Sequence, residues 1–298
     1  MPESYSIIQP FLNYLKFEKR FSQHTLISYE NDLKAFWDYL VTEYGDLSLP
    51  QISHSFIRSW LASLKDQGMT AKTINRKIST LRSFFKYNMK TGVIQQTPMT
   101  KIIAPKSEKM LPQFVADKDI ATLFNHVQFA DDWEGRTDRL LLLMFYNTGM
   151  RLSELIQLKE SAVSFYNKTI KILGKGNKER VLPVSSELAR SIQEYIEEKR
   201  KIGLPANDVI LVSAKGKPLA PRKVYTIVKK YLSLVTTIEK RSPHVLRHTF
   251  ATHLVNNGAD LNAVKEMLGH SSLAATQVYT HNTIEKLKNI HQKAHPKA

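Results

Sequence analysis

Between Gln95 and Phe114 the hydrophobic periodicity that runs through the flanking chain stops, and Pro98, Pro105 and Pro112 appear among Lys101, Lys106 and Lys109. A proline disfavours helix at the residue before it, so this stretch reads as an extended linker. It divides the chain into a first domain over residues 1–97, a linker over 98–112 and a second domain over 113–298. Two domains also suit a chain of 298 residues, since single domains run to roughly 100–200. A chain of this size buries enough surface to need no covalent staple. None is available: the absence of cysteine excludes disulfides, thiolate zinc sites and a cysteine nucleophile.

The first domain reads as helical. Tyr29, Leu33, Phe36, Trp37 and Leu40 form one helical stripe, and Ile57, Trp60, Leu61 and Leu64 repeat it. From Thr70 to Lys90, Ile74, Ile78, Leu81 and Phe85 share one face, while Lys72, Arg76, Ser79, Arg82, Ser83 and Lys86 share the opposite one. An apolar back and a basic, hydroxyl-dotted front suit a helix that packs on its bundle and presents Lys72, Arg76, Arg82 and Lys86 to DNA. Charge points the same way. With 43 Lys+Arg against 27 Asp+Glu the formal net charge is +16, and neutralising a phosphate polyanion releases counterions and drives binding. The longest apolar run, Leu140 to Tyr146, is far short of the ~20 residues of a membrane helix. The opening Met1-Pro-Glu-Ser-Tyr-Ser has neither the basic start nor the apolar core of a signal peptide, so a cytoplasmic protein with no membrane partner is expected.

The second domain mixes elements. Arg139 to Tyr146 reads as a buried helix, Asn147-Thr-Gly149 as its stop and Leu152 to Leu158 as a new helix. Thr169 to Leu173 alternates as a strand and Arg180 to Val184 returns, joined by a glycine-rich turn at Gly174-Lys-Gly-Asn177. From Leu188 onward the pattern is helical again, apart from a short apolar run at Val209 to Val212. The fold class is therefore mostly α, with a small β-hairpin in the second domain.

Four segments combine cations, histidines and a tyrosine with sharp local geometry. Thr148-Gly-Met-Arg-Leu-Ser-Glu-Leu155 sets Arg151 at a helix start, where backbone N–H groups favour an anion. Gly174-Lys-Gly-Asn-Lys-Glu-Arg180 lacks the GxxxxGK[ST] spacing of an ATP loop. In Ser242-Pro-His-Val-Leu-Arg-His-Thr-Phe-Ala-Thr-His253, Ser242-Pro243 starts a helix that carries His244, Arg247 and His248 on one face. A zinc protease would need a glutamate where Val245 stands, so no metal site is assigned. The fourth segment is Leu268-Gly-His270, followed by Tyr279-Thr-His281. Arginine forks match phosphate oxygens and could neutralise a five-coordinate phosphorus. A tyrosine hydroxyl among cations is a feasible nucleophile, and a phosphotyrosyl ester conserves the bond so that strands rejoin without ATP, metal or other cofactor.

This ordered set resembles the tyrosine recombinases of the phage integrase family, and among them the bacterial Xer type. The resemblance implies a helical, SAM-like core-binding domain followed by an α+β catalytic domain. It implies Tyr279 as nucleophile, Arg151 and Arg247 on the non-bridging oxygens, Lys175 as proton donor to the departing 5′-oxygen, His244 assisting proton transfer from Tyr279, and His270 bonded to the phosphate. Glu154 corresponds to a carboxylate that orients the first arginine. Implied partners are double-stranded DNA carrying a specific recombination site, a homo- or hetero-tetramer with a second Xer recombinase, and a septal DNA translocase. Ile284, Leu287 and Ile290 could form the docking face of a C-terminal segment exchanged between protomers, or pack on their own domain. The residues leave open an integrase or invertase of a mobile element, a type IB topoisomerase, or a DNA-binding protein without catalysis.

Overall fold

The computed structural model describes residues 6–106, 113–174, 179–205 and 208–269. The backbone separates into two units, residues 1–110 and 111–298.

The first unit is helical. Helix α1 (Ile8–Asn13) runs into a π-helical turn at Tyr14–Glu18. Helices α2 (Gln23–Tyr44), α3 (His54–Asp66) and α4 (Ala71–Lys90) follow. The side chains of Ser22 and Thr70 accept from Thr25 N–H and Thr73 N–H, so α2 and α4 each begin at a hydroxyl cap. The expected stripes close the core: Leu33, Phe36, Trp37 and Leu40 of α2 meet Ile57 and Trp60 of α3 and Ile78, Leu81, Phe84 and Phe85 of α4.

A charged pair lies inside this bundle. Asp32 is buried and accepts from Lys77 Nζ at 3.0 Å, from Thr80 Oγ1 at 3.0 Å and from the Arg76 guanidinium. Lys77, itself buried, has an acid within reach only because α2 places Asp32 beneath α4. Such a pair is costly to form but costlier to halve, because removing one partner strands the other in a dry site.

The first part of the proline-rich stretch, expected as an extended linker, packs on the first unit. Met99 and Ile102 are buried in the first unit's core. Arg58, Arg82 and Asn75 donate to the carbonyls of Lys101, Ile102 and Pro105 at 3.1, 2.9 and 2.9 Å. The prolines do exclude helix, but two apolar side chains three residues apart find a groove and three donors hold the backbone beside it. Residues up to Pro105 are a strap on the bundle.

The second unit is α+β. Helix α5 (Asp117–Asn125) precedes α6 (Trp133–Thr148), α7 (Leu152–Ile156) and an antiparallel sheet in the order β1 (Val163–Ser164), β2 (Thr169–Leu173), β3 (Glu179–Pro183). Helices α8 (Ser186–Lys201), α9 (Pro221–Val235), α10 (Pro243–Asn256) and α11 (Leu261–Leu268) follow among the described residues. Leu140 to Phe145 are buried along α6, and Ile170, Ile172 and Leu182 turn one face of the sheet into the same core. Phe250, Ala251, Val255, Val264 and Leu268 form a separate cluster that packs α11 on α10. The chain entering this unit is bolted to α10: Val115 N–H donates to Thr249 Oγ1 at 2.9 Å, and the Val115 carbonyl meets His253 Nε2 at 2.9 Å.

Candidate active site

The site begins where α6 stops. Gly149 adopts the left-handed conformation, φ +56, that ends a helix, and the chain turns at once into Arg151, the residue before α7. Glu154 Oε2 accepts from the Arg151 N–H at 2.8 Å, so the anion there is the protein's own. The other Glu154 oxygen accepts from Arg151 Nη1 at 2.8 Å. Backbone and side chain of the same arginine are thus fixed by one carboxylate.

Two consecutive carbonyls draw both arginines together. Arg151 Nη2 donates to the Gly269 carbonyl at 2.8 Å, and Arg247 Nη2 donates to the Leu268 carbonyl at 2.6 Å. Arg247 Nη1 also donates to the Gly149 carbonyl. Arg247 is 7% exposed, a depth at which a guanidinium must be satisfied by acceptors, and the Gly149 and Leu268 carbonyls are two of them. The left-handed turn at Gly269, φ +63, ends α11 where these carbonyls stand. Two permanent cations with planar donor forks are thus held on adjacent carbonyls.

Glu154 is the electrostatic hinge of the site. Burial alone would raise its carboxyl. Hydrogen bonds from Arg180, and from the backbone and side chain of Arg151, outweigh that and hold it down to about 2. It is a fixed anion at any physiological pH. Arg180 escaped the sequence reading. It faces Ile172 across the sheet and lies on the Leu182 side of β3, whereas Val181 on the other side is 60% exposed. An arginine on the inward face of an alternating strand was the available signal, because it demands a buried acid.

Of the expected catalytic residues, Arg151, Glu154 and Arg247 converge, and His244 stands exposed in the first turn of α10, one turn before Arg247. Lys175, His270 and Tyr279 lie outside the described residues. Where a described tyrosine hydroxyl is perturbed in this unit, burial is the leading cause and the direction is upward: Tyr146 is raised, and Tyr195 and Tyr231 are pushed up to about 12. These buried phenols are the opposite of activated nucleophiles.

In the first unit Lys72, Arg76, Arg82 and Lys86 share the exposed side of α4. Two of them also have work inside the unit: Arg76 engages Asp32 and Ser28, and Arg82 holds the Ile102 carbonyl. Among the described residues no group of three or more His, Asp or Glu side chains could hold a metal, and no helix is long and apolar enough to cross a membrane.

Comparison with known proteins identifies the family. The phage integrase family matches residues 113–286, and its N-terminal SAM-like domain matches residues 8–92. The tyrosine recombinase XerC of Staphylococcus aureus is 37% identical over 292 residues, spanning 98% of this chain and 97% of that protein. The XerC of Staphylococcus carnosus is 38% identical over 292 residues, spanning 98% of each. Among solved structures, the XerH site-specific recombinase in a post-cleavage complex with a palindromic difH substrate superposes with a TM-score of 0.75. It is 25% identical and covers 89% of this chain and 78% of its own. A lambda integrase dimer bound to a core site shares the fold, with a TM-score of 0.73, 20% identity and coverage of 92% and 94%. The chain therefore belongs to the phage integrase family and is a tyrosine recombinase, an enzyme of site-specific DNA strand transfer.

Proposed function

We propose that this protein cuts and rejoins double-stranded DNA at a specific recombination site through a 3′-phosphotyrosyl intermediate, in the Xer manner that resolves chromosome dimers. The observation that carries the reading is the convergence of Arg151 and Arg247 on the adjacent carbonyls of Leu268 and Gly269. In this mechanism a scissile phosphate sits against the two forks, which take its non-bridging oxygens. Tyr279 attacks phosphorus as His244 helps remove its proton. The 5′-oxygen departs with a proton from Lys175, leaving a free 5′-hydroxyl, and His270 hydrogen-bonds the phosphate. Glu154 keeps the first fork planar to the phosphate. Because the ester retains the broken bond's energy, a 5′-hydroxyl from the partner duplex reverses the step with no external fuel.

Lys72, Arg76, Arg82 and Lys86 are the proposed DNA contacts of the first unit, on an α4 face that carries no acid. The active assembly is a tetramer on two DNA sites, either of this chain alone or with a second Xer recombinase, and Ile284, Leu287 and Ile290 dock the exchanged C-terminal segment. The reaction belongs in the cytoplasm, where a septal DNA translocase has access to the chromosome.

The deciding experiment uses a nicked suicide substrate and Tyr279→Phe. Wild type is expected to give a denaturant-resistant DNA adduct, and the variant is expected to bind DNA normally but give none. An adduct of wild-type yield from Tyr279→Phe refutes the mechanism. Sequencing the trapped DNA identifies the site, and relaxation of any supercoiled plasmid regardless of sequence would favour a topoisomerase instead.

A further inference from the structure

Arg180 belongs to none of the roles assigned above, yet it touches both Glu154 and the end of α11. Its Nη1 and Nη2 grip the two oxygens of Glu154 at 3.0 and 2.7 Å, a two-point fork on a carboxylate whose side chain is 6% exposed. Its Nε donates to the Met267 carbonyl at 3.0 Å, one residue before the carbonyl that holds Arg247. Its guanidinium also lies directly beneath Gly269: a Cβ built there would stand 3.1 Å from Nη1. Gly269 in turn supplies the carbonyl that holds Arg151. One side chain on β3 therefore spans the carboxylate of α7 and the terminal turn of α11, the two features that aim the paired arginines.

We infer that Arg180 is a positioning residue of the strand-transfer site, holding Glu154 and the Met267–Gly269 turn so that Arg151 and Arg247 face one phosphate. The inference rests on the recombinase reading and adds to it a residue that never touches DNA. Lysine cannot replace it, because an ammonium offers no planar pair of donors with a third at Nε.

The test combines single-turnover cleavage of the suicide substrate with Arg180→Gln, Arg180→Lys, Glu154→Gln and the Glu154→Gln/Arg180→Gln double variant. A shift of about 1 Å in a reacting group costs on the order of 100-fold, which is the loss expected for Arg180→Gln, with DNA affinity little changed. Arg180→Lys should recover only part of that loss. Because Arg180 acts in part through Glu154, the loss in the double variant should be smaller than the product of the two single losses, a non-additivity that general destabilisation does not produce. Multiplied losses in the double variant, or near-normal cleavage by a folded Arg180→Gln, overturn the inference.

A second measurement needs no chemistry. In the DNA-free protein, the Arg151 Nε–H resonance, assigned by its loss in Arg151→Lys, should move in Arg180→Gln, and in Arg180→Lys should the glutamine variant fail to fold. An unmoved resonance overturns the inference. A moved resonance in a protein whose wild type forms no adduct upholds the positioning role and refutes the recombinase chemistry.

Discussion

Arg247 and Leu268, 21 residues apart in sequence, are joined by a 2.6 Å bond from a buried guanidinium to a main-chain carbonyl. The bond ties the middle of α10 to the last residue of α11, and the Gly149 carbonyl closes the same fork from the end of α6. Three helices therefore meet at one arginine, and its substitution should register in chemistry before it registers in DNA binding.

Replacing Arg247 by lysine retains the charge and removes the fork. Cleavage of a suicide substrate should fall by at least ~100-fold, the order seen when a single preorganised donor is lost from an anion site. Mobility-shift affinity should change far less. Near-normal cleavage would mean that this guanidinium does not meet the phosphate.

Gly149→Ala should damage stability and chemistry together. The position is left-handed, and a Cβ there would approach Phe250 Cδ1 to 2.3 Å and Leu268 Cδ2 to 3.1 Å. The strained backbone and the crowding should together cost about 3 kcal/mol in a denaturant melt, and the turn carrying one of Arg247's acceptors moves with it.

Glu154 sets an acid limit on the second unit. Its carboxyl is held down to about 2 in the folded protein, from an ordinary value of 4.5. The folded form therefore binds this proton less readily than the unfolded form, so its contribution to stability is complete above pH ~4.5 and is lost as pH falls toward 2. Glu154→Gln should flatten that part of the stability curve, as measured by denaturant midpoints from pH 2 to 6.

Asp32→Ala tests the buried charge of the first unit. It leaves Lys77, whose side chain is 8% exposed, without its acid, and should cost about 3–5 kcal/mol. Replacing Asp32 and Lys77 together by apolar residues should recover most of that loss. A single variant as stable as wild type would show that Lys77 finds water.

Lys72→Ala addresses the DNA face of α4. It should weaken binding to all sequences alike and reduce the slope of log K against log salt by about 1. Adduct yield from saturated complexes should stay the same. Arg76→Ala should do this and also lower the melting temperature, because Arg76 also engages Asp32.

The long helices were legible because their apolar residues recur at helical spacing and their caps are hydroxyls or glycines, as at Ser22, Thr70 and Gly149. The β2–β3 pair was equally legible from its alternation. What escaped depends on contacts between residues distant in sequence. Met99 and Ile102 look like linker residues until a groove is present to receive them. Asp32 looks like one polar residue in a helix until α4 supplies Lys77 and Thr80. The carbonyls of Gly149, Leu268 and Gly269 leave no trace in side-chain chemistry at all. The paired arginines and Glu154 could be read from their motifs, but the agent that aligns them, Arg180, sits in a strand whose local pattern says only that it points inward.

The Gly149, Leu268 and Gly269 carbonyls that hold Arg151 and Arg247 belong to the polypeptide itself rather than to replaceable side chains. Mutational drift can erase a carboxylate or an amide in one step, but it cannot delete a peptide oxygen; it can only bend the path that presents it. These contacts are therefore insulated from many point changes, and their vulnerability is concentrated at the two glycines, Gly149 and Gly269, whose left-handed turns set that path. Efforts to retarget such an enzyme to new DNA have wide latitude in side chains and almost none at those turns.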